Sequence, residues 1–160
     1  MLKKSLIIYV LIFIPLISCS SQEKKKEVMN KKPMNMTEQD WKNKLTPEQY
    51  HILREKGTEY PNTGAFNLHF EKGNYHCAGC DALLFYSTQK FKSSCGWPSF
   101  DDAVKDAIEY KLDKSHFMVR TEILCKNCGG HLGHIFDDGP TQTGQRYCVN
   151  SISLIFKKDE

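Results

Sequence analysis

The chemistry of this chain is carried by its seven cysteines, whose spacing sorts them into groups. Cys77 and Cys80 in HCAGC and Cys125 and Cys128 in CKNCGG make two CxxC pairs, and each pair follows a run of strand character. Gly79 and Gly129-Gly130 permit the tight turns that let two thiolates on one knuckle face a single ion. Two knuckles supply four soft ligands, a set suited to one structural zinc per chain, with no coordination position left open for a water. The 44 residues from 81 to 124 exceed zinc-finger spacing, so a sheet must bring the knuckles together. Two disulfides are the competing assignment if the protein lives in an oxidising compartment, although a bridge within a CxxC closes a small, strained ring.

Cys148 belongs to neither pair. In RYCVNSISLIF, residues 146–156, the pattern predicts one β-strand, on which Arg146, Cys148 and Asn150 share a face, followed there by Ile152, Leu154 and Phe156. A guanidinium near the sulfur lowers the thiol pKa and raises the thiolate fraction. Structural cysteines usually sit among apolar neighbours, and Cys148 has polar ones. Upstream, GGHLGHIFDDGP places His131 and His134 three apart, with Asp137 and Asp138 behind them, offering a proton donor and an orienting carboxylate. Cys95 lies in FKSSCGWPSF, beside Trp97 and Phe100, in a segment whose Gly and Pro predict a loop. A loop cysteine can move and a strand cysteine cannot, a division that suits a resolving thiol and a fixed nucleophile.

The elements that must hold these groups are mostly strands. Thr37 with Asp40, and Thr46-Pro47-Glu48-Gln49, read as two helix starts, the second helix stopping at Gly57. AFNLHF, NYHC, ALLFYS, FMVRTEIL and RYCVNSISLIF then read as strands, with DDAVKDAIEY the one candidate for a further helix. The expected fold is mainly antiparallel β with a short helical N-terminal part. Its 40% hydrophobic and 26% charged residues are those of one ordinary globular domain.

Ahead of residues 37–160, the domain proper, the composition changes. Lys3 and Lys4 precede an apolar run from Leu6 to Ile17, shorter than the roughly 20 residues that span a bilayer. This predicts an export signal over 1–18. The stretch LISC resembles a bacterial lipobox, which would make Cys19 a lipidated anchor and residues 19–36 a flexible, Lys- and Ser-rich tether. The expected product is an exported lipoprotein facing the periplasm or the cell exterior; an ordinary signal peptide or an uncleaved anchor would export the domain as well. Residues 1–36 carry seven lysines against Glu23 and Glu27, so the overall +3 leaves the domain at −2. That balance speaks against a nucleic-acid partner.

TPEQYHILREKGTEYPNTG, YHCAGCDALLF, FKSSCGWPSF, RTEILCKNCGGHLGHIFDDGP and RYCVNSISL, in that order from about Trp41 to Phe156, resemble the B-type methionine sulfoxide reductases. The resemblance implies two antiparallel β-sheets and reduction of the R epimer of methionine sulfoxide in peptides and proteins. It implies Cys148 as nucleophile and Cys95 as the cysteine that recycles it. His131, His134, Asn150 and Arg146 would line the site, with either histidine as the acid. Trp97 would help form the pocket for the substrate's ε-methyl, with Phe100 beside it at the substrate. Cys77, Cys80, Cys125 and Cys128 match the zinc-bearing members, and a thioredoxin-like dithiol would be the reductant. Two rival readings explain less: a zinc-ribbon binding module leaves Cys95, Cys148 and the histidines idle, and a general thiol-disulfide oxidoreductase lacks its CxxC beside a βαβ pattern.

Overall fold

The computed structural model describes residues 34–159, so the expected signal, Cys19 and most of the expected tether lie outside the described residues. Met34 and Met36, at the end of that tether, are half-buried against the domain, and the Met34 N–H donates to Asn127 O at 3.1 Å. No helix among the described residues is long and apolar enough to cross a membrane.

Both predicted helix starts form. Helix α1 (Glu38–Lys44) is closed by the reciprocal Thr37–Asp40 capping box, and α2 (Pro47–Leu53) by Thr46 and Gln49 with Pro47 in its first turn. They bury Trp41, Ile52 and Leu53. The second helix ends before Gly57, because Lys56 adopts the left-handed φ of 59° and the Gly57 N–H turns back to His51 O at 2.9 Å.

The strands are β1 (Gly73–Cys77), β2 (Leu83–Tyr86), β3 (Lys90–Phe91), β4 (Ser99–Phe100), β5 (Ile108–Asp113), β6 (Arg120–Cys125), β7 (His131–Phe136), β8 (Arg146–Val149) and β9 (Leu154–Lys158). They form two antiparallel sheets, β2-β1-β9 and β3-β4-β8-β7-β6-β5. Aromatic rings join the sheets. Phe85 of the small sheet stacks on Phe100 of the large one at 4.3 Å between centroids and 15° between planes, and Tyr75 meets Phe100 edge-on at 5.1 Å.

Three local expectations give way to tertiary contacts. AFNLHF is a turn-rich loop whose amides bond locally or to the Ser151 hydroxyl, while Phe66 and His69 pack on Tyr75 and Phe156. DDAVKDAIEY forms no helix: Asp106 takes φ 62°, Val104 N–H bonds Leu84 O, and the segment feeds β5. RYCVNSISLIF is two strands, not one. β8 stops at Val149, a single 3-10 turn follows over Ser151–Ser153, and β9 joins the other sheet. Ile152, Leu154 and Phe156 therefore do not extend the face of Cys148.

Because the Phe85 ring is packed between Phe100 and Tyr147 with no exposed surface, Phe85→Ala should cost about 3–5 kcal/mol in denaturant unfolding. A loss below about 1 kcal/mol would show that this stack does not hold the sheets together.

Candidate active site

Antiparallel pairing sets the site's first dimension. Cys148 on β8 lies opposite Ser99 on β4 and opposite His134 on β7, and His134 in turn lies opposite Glu122 on β6. Directly opposed residues project from the same face, so Ser99, Cys148, His134 and Glu122 form a row across four strands. Gly133, with φ 152°, lets β7 run close enough to β8, since a Cβ there would collide with the Cys148 carbonyl.

Alternation along β4 decides the fate of Phe100. Ser99 faces Cys148, whereas Phe100 is opposite Tyr147, points into the core and is 0% exposed. The expectation that Phe100 contacts substrate is corrected accordingly. A cleft of about 110 Å³ has Trp97 and Phe136 as apolar walls and Thr58, Arg120, His134 and Asn150 as polar ones, and Cys148 reaches it; Cys95, His131 and Arg146 do not line it.

Cys95 is already beside its partner. Its sulfur lies 3.7 Å from Cys148 Sγ and 3.4 Å from both Ser99 Oγ and Trp97 O. The loop is tied by Asn62 N–H to Gly96 O at 2.8 Å and by the Trp97 indole N–H to Glu59 O at 3.1 Å. Closing a disulfide to about 2 Å thus needs a short sulfur movement and no excursion of the loop. The two thiols are shifted in opposite directions. The hydrogen bond from Cys148, helped by Ser93 and Ser99 against the cost of burial, lowers Cys95 to about 4. That same contact and then burial push the Cys148 thiol up, and the Arg146 guanidinium pulls it down by less. Arg146 therefore acts on the Cys148 thiol against both the neighbouring sulfur and burial.

Arg146 spends its charge elsewhere as well, donating through Nε and Nη2 to the two Asp138 oxygens at 2.7 and 2.8 Å and lying over the Phe136 ring at 4.4 Å. Asp137 accepts from Gln145. The carboxylate that meets His134 is Asp113, whose Oδ2 is 2.8 Å from His134 Nε2 and 2.7 Å from Arg120 Nη2. Hydrogen bonds from Ser115, then His134 and Arg120, hold Asp113 well below the usual carboxylate range. It stays ionised and fixes the ring's orientation. Burial lowers His134 while the Asp113 contact raises it. Nothing local in the sequence marks Asp113 or Arg120, because only the β5–β6 register brings them to β7.

His131 stands one layer back, 3% exposed, with Nδ1 2.8 Å from Glu122 Oε1, and Glu122 also takes the Lys56 ammonium at 2.7 Å. Its ring meets that of His134 edge-on at 5.6 Å between centroids. Asn150, also 3% exposed, donates to Leu132 O and accepts from the Glu59 N–H, both at 3.1 Å, so its amide is committed to backbone groups.

The four CxxC cysteines come together from both sheets. Their sulfurs all lie within 4.8 Å of one another, with Cys77–Cys128 at 3.7 Å and Cys80–Cys125 at 3.6 Å. Four sulfurs bonded at about 2.3 Å to one tetrahedral ion stand about 3.8 Å apart, so the cluster is compatible with a zinc site. None of the four is disulfide-bonded in this structure. Arg54 of the N-terminal part braces this knuckle by donating to Cys128 O at 3.2 Å.

The sequence profile of the SelR domain matches residues 45–158. A peptide methionine sulfoxide reductase MsrB of Leptospira interrogans is 57% identical over 127 residues, covering 79% of this chain and 97% of the relative. MsrB of Methanosarcina barkeri is 53% identical, covering 82% and 94%. A probable methionine-R-sulfoxide reductase B of Caenorhabditis elegans is 49% identical, covering 82% and 89%. With a matched profile spanning most of its length and relatives of this identity, the chain belongs to the SelR-domain family of B-type peptide methionine sulfoxide reductases.

Proposed function

We propose that this protein reduces methionine-R-sulfoxide in peptides and proteins to methionine, with Cys148 as nucleophile and Cys95 as resolving thiol. The observation that carries the reading is the pair of sulfurs 3.7 Å apart at a cleft walled by Trp97, Phe136 and His134. The Cys148 sulfur, once deprotonated, attacks the electrophilic sulfoxide sulfur. His134, oriented by ionised Asp113, hydrogen-bonds or protonates the sulfoxide oxygen, and methionine leaves as that oxygen passes to Cys148 in a sulfenic acid. Cys95 then attacks the sulfenic sulfur, water departs, and a Cys148–Cys95 disulfide remains. A thioredoxin-like dithiol restores both thiols by exchange. Trp97 and Phe136 suit an apolar methyl group better than a charged substrate. His131, tied to Glu122, acts in this scheme as support behind His134.

Cys77, Cys80, Cys125 and Cys128 suit a zinc ion, which would hold the two sheets together at the knuckles and supply no open coordination position for catalysis. The lipobox-like LISC supports attachment of the domain to a membrane through Cys19, on the outward side.

Four measurements test these points. Cys148→Ser should abolish reduction of a peptide R-sulfoxide. Cys95→Ser should release one methionine per chain without reductant, accumulate a dimedone-trappable sulfenic acid, and cease cycling. Because the strongest influence raising the Cys148 thiol is then gone while Arg146 remains, the pH midpoint of that first turnover should fall below the wild-type value. A first turnover that survives in Cys148→Ser and fails in Cys95→Ser reverses the roles. Metal analysis should find about one zinc per chain, with loss of stability on chelation; protein free of metal and carrying disulfides within both CxxC pairs would end that assignment. Finally, Cys19→Ala should release exported enzyme from the membrane fraction, and an unchanged membrane fraction counts against lipidation.

A further inference from the structure

Glu59 is a carboxylate residue only 8% exposed, in the loop between α2 and β1, and no step above uses it. Its two oxygens accept the N–H groups of Ser151 at 2.7 Å and Ile152 at 3.1 Å, where the chain turns from β8 to β9. Its own N–H donates to Asn150 Oδ1, and its carbonyl accepts the Trp97 indole N–H, each at 3.1 Å. One residue thus grips the end of the catalytic strand, one polar wall of the cleft and one apolar wall. Three residues on, Asn62 holds Gly96, the neighbour of Cys95. Gly64 keeps the loop close, since a side chain there would run into Glu59 and Ser151.

The chemistry of the clamp is specific to a carboxylate. Both oxygens face N–H donors, so both must accept, and bonds to an ionised acceptor are the stronger kind. A glutamine can satisfy one amide but sets its own NH2 against the other, leaving a buried donor unmade.

We propose that Glu59 is a positioning residue for the reductase: anchored on the Ser151 and Ile152 amides, it sets the Trp97 indole and the Asn150 amide at the spacing that admits a sulfoxide methyl group beside Cys148. This rests on the reading of the cleft as a methionine sulfoxide site. Glu59 itself touches no reacting atom and acts through Trp97 and Asn150.

The test compares N-acetyl-methionine-R-sulfoxide with the corresponding ethionine sulfoxide, using dithiothreitol as reductant, in wild type, Glu59→Gln, Glu59→Asp, Trp97→Phe and the Glu59→Gln/Trp97→Phe double variant. Thermal melting and metal content are followed for each. Glu59→Gln should raise KM for the methyl substrate about tenfold with a smaller change in kcat. Its preference for methyl over ethyl in kcat/KM should fall at least about threefold. Glu59→Asp, which keeps the charge on a shorter stem, should be intermediate. The double variant should lose little beyond Trp97→Phe alone, because both changes disturb the same wall. Folded Glu59→Gln with wild-type KM and selectivity overturns the proposal, as does a double variant in which the losses multiply. If Glu59→Gln does not fold, the aspartate variant decides: a shifted methyl-to-ethyl preference supports the proposal and a wild-type preference overturns it. Wild type that reduces neither sulfoxide would defeat the functional reading itself, a result distinct from an active wild type matched by its Glu59 variants.

Discussion

A chain can pass from one β-sheet to another only if its backbone breaks, and the amides freed at the break must find acceptors or carry the cost of burial. Between Val149 and Leu154 this protein makes such a passage. Ser151 and Ile152 give their N–H groups to the Glu59 carboxylate, Asn150 bonds Leu132, and the Ser153 hydroxyl donates to His131 O. The corner is buried, with Ser153 wholly inaccessible. Both sheets depend on it, since β8 is central in one and β9 an edge of the other.

The same corner ends β8 one residue after Cys148. With β8 held between β4 and β7, register does the rest: Ser99, Cys148 and His134 come into line, and Phe100 is turned away to the core. Electrostatics then follow from packing. Two sulfurs so close cannot both hold a negative charge at little cost, so their contact pulls Cys95 down and pushes Cys148 up. Asp113 plays the corresponding part for His134, remaining ionised because Ser115 and Arg120 support its charge.

Beside that corner, at the ends of β1 and β6, the sheets meet again: Cys77 pairs with Leu154, and the Ala78 N–H donates to Ser153 O at 2.9 Å. Cys77 and Cys80 follow the small sheet, Cys125 and Cys128 the large one, and their sulfurs converge within 4.8 Å. The N-terminal helices cover this region, with Arg54 stacked at 5.0 Å over Trp41 while bonding the Cys128 carbonyl. The convergence of both sheets here and the Phe85–Phe100 stack between them leave the corner at Glu59 little freedom to shift.

Much was legible in the sequence because it depends on neighbours in the chain. The capping boxes at Thr37 and Thr46, the CxxC spacing and the thiols themselves are local facts, and local propensity and ligand chemistry decide them. The rest required partners far away. RYCVNSISLIF has the alternation of one strand and is two, because Glu59, 92 residues from Ser151, offers better acceptors at the break than a continued ladder. Asp138, adjacent to the histidines in sequence, is taken by Arg146, whereas Asp113, 21 residues from His134, is the carboxylate that orients it. Sequence by itself determined which reactive groups the protein has and which elements carry them. Tertiary structure alone decided which groups meet, because strand register and the acceptors waiting at a sheet break are properties of the assembled fold.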